Sequence, residues 1–198
     1  MMRTVEKEEE YGVPYGADAV NADMDYINSE GFALKFERIT DNPTVNRTLL
    51  ECSCAAVAHR TGTLYEDMYL INGITGEIIG QQLESEYKQG IFYNESIKKA
   101  LLKAKVDNIP VIAFHTHPEG YPPSIDDFNM ALENNYLFGI VIGHNGQVYK
   151  YEKPDTYVYN IDIIQNDIRF AFLNGADIDR AYREAFADYG LNYVIVKG

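Results

Sequence analysis

The apolar positions along the chain change period several times, and each change marks a boundary between elements. In TVNRTLLECSCAAVAHR (44–60), Val45, Leu49, Leu50, Cys54 and Val57 recur at helical spacing, after the turn signal TDNP and before Gly62. DMYLINGITGEIIGQQL (67–83) is β-rich on both sides of an N-G-x-T-G turn, a hairpin pattern. NESIKKALLKAK (94–105) returns to the helical period, with Asn94 as N-cap, Ile97, Leu101 and Ala104 on one face, and Asn108 and Pro110 as its end. IPVIAFHTH (109–117) is a continuous apolar run that turns polar at its end, as a buried strand does on reaching the edge of a sheet.

SIDDFNMALENN (124–135) reads as a short helix, and LFGIVIGHNGQVYKY (137–151) as a hairpin with a two-residue turn at Asn145-Gly146. IDIIQNDIRFAFLNGADIDRAYREAFADYG (161–190) reads as two helices broken at Gly175, with Asp177 capping the second. LNYVIV (191–196) closes the chain as a strand or a tail packed on the core, while DYINSEGFALKFERI (25–39) fits either a strand or a short helix. The succession predicts an α/β domain with a mixed sheet flanked by helices.

Composition narrows the partners. A formal net charge of −13 would be repelled by nucleic acid and by anionic membranes, so neither is an expected partner. No signal-peptide h-region follows MMRTVEKEEE and no apolar run approaches membrane-spanning length, so the expected location is cytoplasmic. Cys52 and Cys54 in ECSC are badly spaced to bridge one another, and a lone CxC is a poor zinc signature. The chain divides into an acidic arm without periodicity (1–15), a main domain (16–155) and a C-terminal helical extension packed on it (156–198).

The candidate chemistry lies in HTHPEGYPPSIDDF (115–128). On a strand, residues i and i+2 share a face, so His115 and His117 present two imidazoles side by side. By itself an HxH is more often a pair of surface histidines. S-x-x-D ahead of an apolar helix is a capping-box variant, with Ser124 as cap and Asp127 at the third helical position. A rigid helix start is also a place from which to aim a carboxylate. Two imidazoles and one aspartate leave the fourth position of a tetrahedral zinc ion open for water.

An upstream Glu, then H-x-H-P, a short loop and S-x-x-D together resemble the signature of the JAMM (MPN+, JAB) metallopeptidase superfamily, over roughly residues 40 to 151. The H-x-H-P-x-G form is most similar to its bacterial RadC-like and phage- or toxin-associated branch. The resemblance implies a cytidine-deaminase-like mixed sheet, with extra C-terminal helices in this chain. It further implies zinc as cofactor, His115, His117 and Asp127 as its ligands, Glu66 as proton carrier and Ser124 as stabiliser of the tetrahedral intermediate. Glu51 is the alternative glutamate, although it falls inside a helical stretch, whereas Glu66 sits where the β-period begins. The loop PEGYPP has six residues where the family usually has seven, which leaves Asp126 as the alternative aspartate.

The activity implied is hydrolysis of a peptide or isopeptide bond in a ubiquitin-like or other protein substrate. Two other readings of the same resemblance are a catalytically silent interaction module and a phage- or toxin-associated effector domain. Ile168, Phe172, Ile178, Tyr182 and Phe186 form an apolar stripe on the last two helices. That stripe either completes the core or serves a partner surface, including a second copy of the chain.

Overall fold

A computed structural model describes residues 20–88 and 90–198; the acidic arm expected at 1–15 lies outside the described residues. The stretch 25–39 forms two short helices, α1 (Met24–Ile27) and α2 (Glu30–Ala33), followed by a 3₁₀ turn over Leu34–Phe36. Asp23 and Ser29 cap them and turn the chain toward helix rather than strand. α3 (Pro43–Arg60) starts where the Asn42 side chain accepts from the N–H groups of Thr44 and Val45, with Pro43 in the first turn. β1 (Met68–Asn72) and β2 (Ile78–Gln82) form the expected hairpin. α4 (Glu95–Asp107) is capped by Asn94 and stopped at Asn108, whose φ is +53°.

β3 (Val111–His117), α5 (Ile125–Glu133) and β4 (Phe138–Gly143) make a parallel crossover unit. β5 (Val148–Tyr151), α6 (Ile161–Leu173), α7 (Ile178–Ala187) and β6 (Tyr193–Ile195) complete the chain. The six strands lie in the order β2-β1-β3-β4-β5-β6, with β3 and β4 parallel and the other neighbouring pairs antiparallel. The fold is thus mixed α/β, and among the described residues no helix is long and apolar enough to cross a membrane.

Strand alternation assigns each side chain to one of two cores. Tyr69, Ile71, Ile112, Phe114, Ile140 and Ile142 face the core closed by α1 to α3. Met68, Leu70, Val111, Ala113, Val141 and Tyr149 face the core that α4 to α7 cover. His115 and His117 continue the series Val111, Ala113 and so belong to the second face. From the C-terminal stripe, Ile168, Tyr182 and Phe186 are buried in that core and Phe172 packs against it, while Ile178 is exposed. Phe186 stands edge-on to Phe128 of α5, and β6 adds a strand beside β5.

The turn between β4 and β5 differs from expectation. Gly143 N–H donates to Gln147 O and Gly146 N–H to Gly143 O, both at 2.9 Å, which makes a three-residue loop over 144–146. A two-residue Asn-Gly turn of the favoured type needs positive φ at both residues. Here only Gly146 (φ +78°) has it. The loop is instead of the three-residue kind, which needs only its last residue in the left-handed region, and the Asn145 side chain accepts from Gln147 N–H. On the α3 face, Cys52 rather than Cys54 enters the core. Its burial pushes the thiol up to about 12, and both cysteines are free.

Candidate metal centre

The carboxyl end of β3 opens toward the start of α5, the place where open α/β sheets expose backbone and bind ligands. The register Met68↔His115, extended by the backbone bond from Thr116 N–H to Asp67 O, sets Glu66 across from His117. Glu66 is in phase with Met68 and Leu70, on the same face as the histidines. Ligand atoms of Glu66, His115 and His117 all lie within 4.8 Å of one another.

Asp127 reaches the same point from the first turn of α5. Its Oδ1 is 3.1 Å from His115 Nε2 and its Oδ2 is 3.4 Å from His117 Nε2. The two Nε2 atoms are 3.1 Å apart. Donors about 2.0–2.1 Å from a small divalent ion in tetrahedral geometry are separated by about 3.3 Å, so the three atoms fit one face of such a tetrahedron. His117 Nδ1 donates to the carbonyl of Tyr121 at 3.0 Å, and this fixes the tautomer that leaves Nε2 free to bind. Ser124 and Asp127 form a reciprocal capping box: Asp127 N–H to Ser124 Oγ (3.2 Å) and Ser124 N–H to Asp127 Oδ2 (2.7 Å). The cap therefore aims the carboxylate at the histidines.

The alternatives sit elsewhere. Glu51 is on the exposed side of α3, 4.0 Å from Arg47, far along the helix from the strand ends. Asp126 is exposed at the cleft rim, and burial together with Asp127 raises its pKa. No contact joins it to either imidazole, whereas Asp127 touches both.

The site is electrically coupled. Burial raises the Glu66 carboxyl to about 7, against the pull of His117 and His115. Burial also opposes charge on His117, yet the hydrogen bond and charge of Asp127 outweigh it and lift the imidazole to about 9. Asp127 shows the converse: burial favours its neutral form, but the charge and hydrogen bonds of His115 and His117 hold it well below the usual carboxylate range. A proton and any cation bound there would compete for one pair of imidazoles.

Several supporting residues gave no sequence signal of their own. Asp67, fully buried, receives Arg60 Nε at 2.6 Å and sits 2.7 Å from His59 Nδ1. Its N–H donates to Thr116 Oγ1 at 3.0 Å, locking the residue after Glu66 to the residue between the histidines. The cleft around the centre has a volume of about 370 Å³, and five tyrosines line it: Tyr93, Tyr121, Tyr136, Tyr151 and Tyr182. Tyr182 of α7 stacks on Tyr121, the ring centroids 6.3 Å apart, so the C-terminal helices form part of the cleft wall. Compared with known proteins, the sequence matches no family model and no curated protein.

Proposed function

We propose that the protein is a zinc-dependent hydrolase of the JAMM type that cleaves a peptide or isopeptide bond. The observation that carries this reading is the triangle of His115 Nε2, His117 Nε2 and an Asp127 carboxylate, with the buried Glu66 beside it. Two imidazoles and one carboxylate with a fourth side open is a donor set that suits catalytic zinc. The order of elements around it supports the family resemblance: helix, hairpin, helix, strand ending in HTH, then a helix opening on S-x-x-D.

Zinc, when bound, polarises a carbonyl and lowers the pKa of water toward neutrality. The protein's own groups do the rest. Glu66, with a pKa near 7, is poised to accept a proton from the attacking water and return it to the leaving amine. Ser124 Oγ accepts from Asp127 N–H, which leaves its own proton to donate to the oxyanion that develops on the attacked carbonyl. The segment after β2 runs beside Glu66, with Lys88 bridged to Tyr65 and Gly90 and Ile91 on the cleft. An extended substrate has backbone to pair with there.

A scaffold without activity needs none of these five residues together, so their joint placement favours the enzyme over a silent interaction module. Elemental analysis of the purified protein is expected to find one zinc per chain, lost in the His115→Ala/His117→Ala double variant. Glu66→Gln should keep the zinc and lower turnover on ubiquitin-like fusions or peptide libraries by two orders of magnitude or more, roughly the share a positioned general base supplies. Undiminished metal in the double variant, or full activity in Glu66→Gln, would overturn the reading.

A further inference from the structure

The inward stripes of α4 and α6 fill the core, and each helix carries a second stripe that faces outward. On α4, Leu102 and Val106 stand one turn apart on one face, each more than half exposed, opposite the buried Ile97, Ala100 and Ala104. On α6, Ile163, Phe170 and Leu173 share a face and are also more than half exposed, opposite the buried Ile164 and Ile168. A single exposed apolar side chain is ordinary, whereas a stripe of them along a helix face marks a surface that associates.

The charges beside the two stripes have opposite sign. Lys98, Lys99 and Lys103 flank Leu102 and Val106, and α4 holds four lysines against two acids in a chain of net charge −13. From 161 to 188 the balance reverses, with six acids against three arginines. Arg180 and Arg183 are taken up by Glu184 and Asp179, and Arg169 donates to Asn166. Asp167 and Asp188 lie beside Phe170 in a recess of about 420 Å³ lined by α6 and α7. Among the described residues neither aspartate pairs with a cation, and Lys99 pairs with no carboxylate.

Both surfaces belong to one side of the molecule. α4 packs on β2, where a side chain at Gly80 would meet Ala100 at 2.9 Å. α7 packs on β6 through Phe186 and Tyr193, and α6 shares the same core through Ile164 and Ile168. β2 and β6 are the two edges of the sheet, so the basic stripe and the acidic stripe sit toward opposite ends of one helix layer. A two-fold axis over the middle of that layer, parallel to the strands, sets α4 of each copy on α6 of the other. A foreign acidic partner would cover the α4 stripe alone. A second copy covers both stripes at once and pairs opposite charges around each.

We propose that the outward faces of α4 and α6 form a two-fold interface between two copies of this chain. Leu102 and Val106 of one copy lie against Phe170 and Leu173 of the other, with Lys99 and Lys103 beside the recess that holds Asp167 and Asp188. The C-terminal helices thus serve twice, their inner stripe in the core and their outer stripe in association. Sedimentation equilibrium of the full chain over a dilution series tests the contact. Wild type is expected to approach twice the chain mass and to go no higher, because a two-fold contact closes on itself.

Lys99→Glu/Lys103→Glu and Asp167→Lys/Asp188→Lys should each weaken self-association about tenfold or more, since each turns attraction into like-charge repulsion. All four positions are exposed, so the fold should tolerate the changes. An equimolar mixture of the two variants should recover the dimer, because each α4 then meets an α6 of opposite charge, and that recovery also shows both variants to be folded. Phe170→Ser, which alters no charge, should weaken the dimer as well. A wild-type chain that stays at the monomer mass would leave these faces to other proteins and overturn the proposal. So would a mass that climbs past two copies, a dimer that withstands the reversals and Phe170→Ser, or a mixture that stays monomeric.

Discussion

His117 holds two opposing demands at one nitrogen. In the metal-free protein its imidazole titrates near 9, against 6.5 for an ordinary histidine, because Asp127 stabilises its charged form. A raised folded-state pKa contributes stability that is complete below about 6.5 and is lost as pH rises through about 9. The melting temperature of metal-free protein should therefore fall across that window. Glu66, raised to about 7, adds to the decline at its lower end, since a buried carboxylate is favoured while protonated. On the proposed reading a metal would take the place of the proton, so apparent zinc affinity should climb across the same window while stability of the metal-free form drops. Calorimetry of His117→Gln isolates the effect: above about pH 7, where the contribution of Glu66 ends, its metal-free melting temperature should lack the fall toward pH 9 that wild type shows. Identical slopes in the two proteins would mean that His117 does not carry the linkage.

Between elements, the Arg60–Asp67 pair ties the end of α3 to the approach of β1. Asp67 is fully buried, and Arg60 also donates to the carbonyl of Leu83. Arg60→Ala should cost about 3 kcal/mol in urea unfolding, because it leaves the buried Asp67 carboxylate with the half-exposed His59 as its remaining side-chain partner. Arg60→Met/Asp67→Leu should recover much of that loss; a single variant as stable as wild type would show the pair to be dispensable. Nothing in the sequence announced this brace, since an Arg and an Asp seven residues apart, one at a helix end and one before a strand, carry no local signal of pairing. Elements with a strong period were legible: α3, α4 and β3 follow from apolar spacing and their cap residues. The HxH pair and the S-x-x-D cap were legible too, because alternation and the capping box are local rules. The tyrosines of the cleft were not, because Tyr93, Tyr136, Tyr151 and Tyr182 come from four separate segments joined only by tertiary packing. The loop over 144–146 escaped for another reason: an Asn-Gly pair also fits a three-residue loop whose last residue is the left-handed glycine, and the sequence does not choose between the two.

At the scale of the molecule, the C-terminal segment belongs to the core it covers. Removing residues after 155 would take Phe186 from Phe128, Tyr182 from Tyr121 and β6 from the edge of β5. The shortened chain is expected to lose its cooperative thermal transition and its dispersed amide spectrum; a soluble, cooperatively melting product would assign the helices to an interface instead. The pairing of β1 with β3 has a consequence in time as well as in space. Between these strands lie the whole of β2 and α4, so Glu66 meets the histidines only after a long loop has closed, and Asp127 joins from a helix beyond. Contacts of that kind form late in folding. A cation held by them gains little hold on the chain before the barrier is crossed, and its grip is felt chiefly by the finished molecule. Loading would then leave the refolding rate nearly unchanged and slow unfolding, so that the bound ion acts as a kinetic latch on a fold the chain has already reached without it.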